Sequence, residues 1–201
     1  MLRVGLTGGL ACGKTFVGEA LAALGCLVIA ADDLGHDVLA PGGEAYDGVV
    51  REFGREMLDA SGRIDRSRLA ARVFSDPQRL ARLNQLVHPP VVRREERLIA
   101  EFAAAQPDGI AVVEAAILIE NGSFERFDRI VLVTCDEERQ VERALRRPGA
   151  READVRARLR RQMPLAEKRK YAHYVIDTSG EKRDTLRQTR EVHDALRRIE
   201  S

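Results

Sequence analysis

The residues with the clearest chemical meaning lie near the amino terminus, at Gly8–Thr15. Their sequence, GGLACGKT, matches the pattern G-x-x-x-x-G-K-[ST] throughout. In this pattern the glycines let backbone N–H groups wrap a β-phosphate, Lys14 reaches the β- and γ-phosphates, and the Thr15 hydroxyl binds Mg²⁺. A glycine-rich turn with a surface lysine is the alternative, but it leaves three glycines and the Lys-Thr pair unexplained. The motif predicts binding of a nucleoside triphosphate.

The sequence around the motif predicts the elements that position it. The apolar run Leu2–Thr7 is typical of a buried strand, and apolar spacing over 13–24 predicts a helix. Further apolar runs predict four more strands, at Leu27–Ala30, Ile110–Val113, Arg129–Thr134 and Tyr174–Asp177. All five runs are continuously apolar, and helical segments separate them. We therefore expect an α/β fold with a five-stranded, doubly wound parallel sheet, whose first strand leads into the phosphate-binding motif.

The chain between the second and third strands is too long for a simple crossover and predicts a helical insertion over about 32–106. One helix there should begin at Asp76-Pro77, with Asp76 as its N-cap. The insertion could bind a substrate, or it could be a helical elaboration of the core. The expected core is then about 1–31, 107–138 and 172–201.

A second segment, over about 139–171, is predicted to form a lid. Arg146-Arg147-Pro148-Gly149 should break a helix, and a basic helix should follow over 152–162. Such a break would suit a segment that closes over phosphates, although a static helical hairpin on the surface fits equally well.

Phosphate transfer to a hydroxyl needs a carboxylate that accepts or orients its proton. Asp32 and Asp33 directly follow the second strand, and the carboxyl ends of parallel strands share the edge that holds the glycine-rich motif. These residues could instead cap the next helix. Glu114 ends the third strand at the same edge and could reach the water shell of Mg²⁺, or it could be a buried ion-pair partner.

A nucleotide-dependent switch or scaffold without catalysis is the second class of function to consider. A GTPase would need a guanine-reading N-K-x-D segment, which the sequence lacks. Asp59-Ala60-Ser61-Gly62 fits the D-x-x-G pattern of switches, but no apolar strand precedes it, so we expect a turn there.

Composition and charge limit the partners and the compartment. The 201 residues are 44% hydrophobic and 32% charged, and the net charge of +1 predicts neither nucleic acid nor a membrane as a partner. No apolar run approaches the ~18 residues of a membrane span. The three cysteines, Cys12, Cys26 and Cys135, lack zinc-type spacing and favour a reducing compartment. We expect a cytoplasmic enzyme.

Cys12 lies inside the glycine-rich motif, just before the predicted helix. The positive end of that helix should favour the thiolate, so we expect Cys12 to react faster with alkylating reagents than Cys135, which ends a predicted buried strand. The alternative is a small residue that fits the loop and is buried and inert.

Over nearly its whole length the chain resembles the dephospho-CoA kinase family. The resemblance rests on motifs that occur in the family's order: GLTGG-x-x-x-GK[ST], the segment 28–36, Leu86-Val87-His88-Pro89, the segment 112–120, Gln140-x-x-Arg143-x-x-x-Arg147, Arg158-Leu159-x-x-Gln162, Glu167-Lys168 and the segment 175–180. It implies transfer of the ATP γ-phosphate to the ribose 3′-hydroxyl of dephospho-CoA, which gives coenzyme A. Another P-loop small-molecule kinase, such as a nucleoside-monophosphate kinase, is the alternative.

The resemblance also implies roles for individual residues. Asp32 takes the acceptor-activating position, and Arg143 and Arg147 match lid arginines that stabilise the transferring phosphate. ATP would contact Gly8, Gly9, Ala11, Cys12, Gly13, Lys14, Thr15, Phe16, Thr178, Ser179 and Gly180. Dephospho-CoA would contact Asp32, His88, Glu114 and Leu118. On its own, His88 is more typical of a helix end or a core.

Some positions depart from the family pattern. Ala30 replaces the first aspartate of D-A-D, Thr178 replaces the usual asparagine, and His173 replaces the aspartate of an A-D pair. Where the family has P-L-L-F-E, this chain has Ala116-Ile117-Leu118-Ile119-Glu120. Because the glycine-rich motif and Asp32 are kept, we still expect activity, with an altered fit of the acceptor.

Overall fold

The computed structural model of the chain describes residues 1–73 and 76–199. The strands are β1 (Leu2–Gly8), β2 (Leu27–Ala30), β3 (Ile110–Glu114), β4 (Arg129–Thr134) and β5 (Tyr174–Asp177). The α-helices are α1 (Lys14–Ala23), α2 (Ala31–Val38), α3 (Tyr46–Phe53), α4 (Arg66–Val73), α5 (Pro77–Ala105), α6 (Glu137–Leu145), α7 (Glu152–Arg161), α8 (Leu165–Lys168) and α9 (Lys182–Arg197). Short 3₁₀ turns lie at Arg55–Met57, Ser123–Arg126 and Arg169–Tyr171.

The five strands form one sheet in the order β2-β3-β1-β4-β5, and every neighbouring pair is parallel. This confirms the predicted fold class. β1 lies at the centre, where Leu6 pairs with Glu114 of β3 and Gly8 pairs with Val133 of β4. Because the strands are parallel, the loops that follow β1, β3, β4 and β5 all leave the same edge of the sheet.

The chain divides into two compact units, Met1–Ala30 with Glu101–Ser201, and Ala31–Ala100. The first unit contains the sheet, and buried side chains of α1 and α9 share one apolar cluster with β1, β3 and β4. Continuous burial of the strands explains why their sequences are apolar on both faces. No helix of the described chain has both the length and the apolarity to cross a membrane.

The second unit consists of helices with cores of their own. Val49, Phe53, Met57, Ile64, Leu69 and Val73 form its main buried cluster. The D-x-x-G match is a turn, as predicted, because Asp59 Oδ1 accepts hydrogen bonds from the backbone N–H groups of Ser61 and Arg63. α5 runs without interruption through Pro89 and Pro90, so His88 lies inside a helix and not at its end.

The amino-terminal end of α5 is capped as the sequence predicts. Asp76 Oδ1 accepts from the backbone N–H groups of Gln78 at 2.9 Å and Arg79 at 3.2 Å. These are two of the N–H groups that a helix cannot satisfy within itself.

We predict that Asp76→Ala lowers the free energy of unfolding by about 1 kcal/mol, the usual value of such a cap. Asp76→Asn keeps an acceptor oxygen at the same place and should cost much less. Urea denaturation of the three proteins measures the difference. Equal losses in both variants would show that the charge of Asp76, and not its capping hydrogen bonds, stabilises the helix.

Candidate functional site

The loop between β1 and α1 has the backbone of a phosphate cradle. Gly13 has φ +79° and Ala11 has φ +55°, so the chain turns twice through the left-handed region before α1 begins. Such alternation points successive N–H groups into one concavity, which suits an anion. At the start of the loop, a Cβ on Gly8 would lie 2.4 Å from the carbonyl oxygen of Val133, so no side chain fits there.

Lys14 and Thr15 open α1 and carry the polar groups of the loop. Lys14 Nζ donates to the carbonyl oxygens of Gly9 at 3.2 Å and Gly8 at 3.5 Å, which holds the ammonium over the loop. Thr15 is exposed, and its hydroxyl donates to Glu114 Oε1 at 3.2 Å. The last residue of β3 and the first turn of α1 therefore place a hydroxyl and a carboxylate side by side.

Gly18 makes room for the Glu114 carboxylate. A Cβ on Gly18 would lie 3.3 Å from Glu114 Oε2, which is tighter than an ordinary contact. Because Gly18 has no side chain, the Glu114 carboxylate can lie against α1. Sequence reasoning did not identify Gly18, because a glycine inside a helix normally signals only a lower helix propensity.

Thr178 connects the loop to two other elements. Its hydroxyl donates to the carbonyl oxygen of Cys12 at 2.8 Å and accepts from Arg143 Nη1 at 2.9 Å. Arg143 Nη2 donates to the carbonyl oxygen of Thr178 at 2.7 Å. Arg143 of α6 is thereby fixed against the chain after β5, whereas Arg147 is exposed, with no described residue paired to its guanidinium.

Ser179 and Phe16 flank this region. Ser179 Oγ donates to Asp177 Oδ1 at 2.7 Å and accepts from the backbone N–H of Asp136 at 3.0 Å, so it joins the loops after β4 and β5. The ammonium of Lys182 lies 5.5 Å from the centre of the Phe16 ring, within range of a cation–π contact. These contacts order the predicted adenine segment without covering Gly180, which is exposed.

The predicted lid segment packs against the loop in this structure. α6 ends at Leu145 and α7 begins at Glu152, so Arg146–Gly149 breaks the helix as predicted. Gln162 Oε1 accepts from the backbone N–H of Leu10 at 2.8 Å. A cavity of about 220 Å³ lies between the two helices, lined by Leu10, Arg147, Arg151 and Arg158 among others. The sequence identifies Gln162 only as part of a family motif.

The predicted acceptor residues have different surroundings. Asp32 and Asp33 are exposed in the first turn of α2, which follows β2 without an intervening loop. Burial lowers the pKa of His88, which favours its neutral form. Leu118 is only 1% exposed and belongs to the core, whereas its neighbour Ile117 is 46% exposed. We therefore leave Leu118 out of the acceptor contacts.

The structure contradicts the accessibility that a reactive thiol at Cys12 requires. Cys12 is completely buried, and burial raises the pKa of its thiol from 9.0 to about 11. The nearby Cys135 raises it further, and the lowering effect of Lys14 is smaller than either. These surroundings favour the buried, inert alternative, because loss of hydration is the largest effect on the thiol.

Comparison with known proteins identifies the family. The family model described as dephospho-CoA kinase matches residues 2–184. The chain belongs to the dephospho-CoA kinase family. Dephospho-CoA kinase of Aquifex aeolicus is 37% identical over 198 residues, which is 98% of this chain and 99% of that one. The Thermobifida fusca dephospho-CoA kinase is 40% identical over 198 residues, 98% of each chain.

A solved structure has the same fold. A Thermus thermophilus protein of 31% identity superposes with a TM-score of 0.79 over 96% of both chains. The resemblance seen in the sequence is therefore confirmed, and so is the prediction of an ATP-dependent phosphotransferase. In this dephospho-CoA kinase family member, the glycine-rich loop leaves the sheet at the end of β1, at the edge where the loops after β3, β4 and β5 also leave it.

For this dephospho-CoA kinase family member we now predict that Cys12 reacts slowly with iodoacetamide at pH 8. A buried thiol with a pKa of about 11 is almost entirely protonated there and is shielded from the reagent. Peptide mass spectrometry of native protein, with urea-unfolded protein as the control, measures the rate at each cysteine. Labelling of native Cys12 at the unfolded rate would contradict the burial.

Proposed function

We propose that the chain transfers the γ-phosphate of ATP to the 3′-hydroxyl of dephospho-CoA ribose, giving coenzyme A, and that it does so in the cytoplasm. Membership of the dephospho-CoA kinase family supports the acceptor. The observation that carries the phosphate-transfer chemistry is the Thr15–Glu114 contact at 3.2 Å, formed beside a loop over which the Lys14 ammonium lies. Phosphoryl transfer depends mainly on placing positive charge and donors around the phosphates, and this arrangement supplies both.

The oxygens of Thr15 and Glu114 fit Mg²⁺. This ion prefers oxygen ligands and in nucleotide sites is held by one or two protein groups together with phosphate oxygens and water. We assign the Thr15 hydroxyl as its direct ligand and the Glu114 carboxylate as an acceptor for its water shell. Once bound with ATP, Mg²⁺ would neutralise charge on the β- and γ-phosphates.

The loop backbone and Lys14 would hold the triphosphate. The N–H groups of the left-handed turns at Ala11 and Gly13, together with the first turn of α1, supply donors to the phosphate oxygens. Lys14 would exchange its bonds to the Gly8 and Gly9 carbonyl oxygens for contacts with the γ-phosphate. Adenine would lie beside Thr178–Gly180, where the loops after β4 and β5 are joined by Ser179.

The two lid arginines would have different roles. Arg143 is fixed by two hydrogen bonds to Thr178 and so would act near the base and the loop. Arg147, exposed at the end of α6, is the guanidinium that could move onto the transferring phosphate when the 139–171 segment closes. We propose that segment as the lid.

Asp32 would serve the acceptor. It follows the last residue of β2 by two positions and is exposed. We propose that its carboxylate accepts or orients the proton of the 3′-hydroxyl, and that the helical insertion over about 32–106, including His88, binds the rest of dephospho-CoA. Neutral His88 can both donate and accept a hydrogen bond there.

Mass spectrometry of dephospho-CoA incubated with the protein, ATP and Mg²⁺ tests the proposal. The expected product carries one additional phosphoryl group, and none should form without Mg²⁺ or with the Lys14→Ala variant. AMP and CMP serve as acceptor controls for a nucleoside-monophosphate kinase. Phosphorylation of either nucleotide in preference to dephospho-CoA would replace the proposed acceptor.

We predict that Lys14→Ala lowers kcat by about 10²–10³-fold, because the ammonium stabilises charge on the phosphates in the transition state. The fold should be retained, since Lys14 is only half-buried and bonds to loop carbonyls. Circular dichroism and a coupled assay measure the two effects. A variant with nearly normal kcat would remove the loop from the catalytic site.

Asp32→Asn is predicted to lower kcat by about 10²–10⁴-fold, the usual contribution of a placed proton acceptor. The affinity for ATP should hardly change, because backbone N–H groups and Lys14 hold the phosphates. Asp33→Asn is the matched control in the same helical turn and should cost far less.

Steady-state assays and ATP titrations of both variants separate the outcomes. If Asp33→Asn is the inactive variant, the assignment is one residue out of register. If both variants are active, the carboxylate function belongs elsewhere, and Glu114 is the next residue to change.

A further inference from the structure

Lys168 is a fully buried lysine to which the mechanism above gives no role. It ends the short helix α8 and is 0% exposed, which is unusual because an ammonium loses its hydration on burial. Such a group is retained when it is paired with an opposite charge and its donors are satisfied. The polar partners of the Lys168 ammonium show which parts of the chain it holds in place.

One partner is the carbonyl oxygen of Ala116, at 2.9 Å from Lys168 Nζ. The same carbonyl lies 3.4 Å from the hydroxyl of buried Thr7 on β1. Ala116 follows Glu114 by two residues, and the intervening Ala115 donates its N–H to the carbonyl of Leu6 at 3.0 Å. The chain that leaves β3 after Glu114 is therefore fixed to β1 and, through Lys168, to α8.

The other partner is Glu120, whose Oε1 lies 2.9 Å from Lys168 Nζ. Glu120 Oε1 also accepts from the backbone N–H of Met163 at 3.2 Å. Met163 adjoins Gln162, which accepts from the Leu10 N–H of the phosphate-binding loop. The Lys168–Glu120 pair thus also fixes the chain where the segment 139–171 returns to the core.

We propose that Lys168 is a positioning residue for the phosphoryl transfer. Paired with Glu120, it fixes the turn after Glu114, and so the carboxylate beside Thr15, together with the Gln162–Met163 end of the lid. This inference rests on the proposed function, in which the Thr15–Glu114 pair serves the Mg²⁺ that arrives with ATP. Lys168 acts through these neighbours and touches no substrate.

Lys168→Met keeps most of the side-chain length and removes the charge and the donors. We expect Mg²⁺ to increase the ATP affinity of this variant less than it increases that of the parent protein, because the Glu114 carboxylate is no longer held in place. This increase is called the Mg²⁺-dependent gain. We also expect kcat to fall by up to about 10²-fold, the scale for a small misplacement of reacting groups. Calorimetric ATP titration with Mg²⁺ or EDTA measures the first effect, and the coupled assay the second.

Leu196→Ala is the matched control for lost stability, since Leu196 is 1% exposed on α9 and its apolar side chain has no group that could bond to Lys168 or Glu120. It should lower Tm and leave the Mg²⁺-dependent gain unchanged. A folded Lys168→Met protein with the parent's Mg²⁺-dependent gain and kcat would overturn the proposal. The proposal would also be overturned if Leu196→Ala and Lys168→Met lost the Mg²⁺-dependent gain to the same extent.

If Lys168→Met does not fold, Glu120→Gln decides, because it keeps an acceptor for Met163 and removes only the charge that pairs with Lys168. A reduced Mg²⁺-dependent gain supports the proposal, and an unchanged gain overturns it. ATP titration needs no acceptor. Failure of the parent protein to phosphorylate dephospho-CoA would therefore refute the proposed function and leave the test of Lys168 intact.

Discussion

The arrangement of the proposed nucleotide site depends on one close backbone approach, that of Gly8 to the end of β4. A Cβ there would lie 2.4 Å from the carbonyl oxygen of Val133, so only glycine lets the chain leave the sheet at this point. A side chain is also excluded at Gly9, because a Cβ added there would lie 3.0 Å from both Cys12 Sγ and Gln140 Oε1. The loop is therefore packed between the sheet and α6, and its N–H groups have little freedom to point elsewhere. Rigid donors of this kind need no reorganisation when phosphate binds.

Side chains from distant parts of the sequence then support the loop. Thr178 bonds to the Cys12 carbonyl, and Gln162 bonds to the Leu10 N–H. Gln162 belongs to the segment 139–171 that is expected to close over the nucleotide, and Thr178 belongs to the predicted adenine segment after β5. Both segments therefore brace the loop. The Gln162–Leu10 hydrogen bond therefore joins the loop directly to the segment 139–171.

Much of the sheet could be predicted, because a parallel strand covered on both faces leaves a continuous apolar run. Arg129–Thr134 and Tyr174–Asp177 were predicted with the bounds that the structure has. The continuation of α5 through Pro89-Pro90 could not be predicted, because the local rule for proline favours a break and tertiary packing overrides it. Local patterns identify the residues of the loop but not their supports, because Thr178 and Cys12 are 166 positions apart.

Cys12 shows how two local effects compete at such a site. A helix amino terminus stabilises a negative charge typically by about 0.3–1 kcal/mol, and by up to ~2 in partly buried geometries. A rise in pKa from 9.0 to about 11 corresponds to an opposing effect on the order of 3 kcal/mol, so burial prevails. The outcome suits the proposed chemistry. A thiolate under the loop would repel the phosphates, whereas a neutral buried thiol fills the space below the cradle and leaves its positive field to the nucleotide.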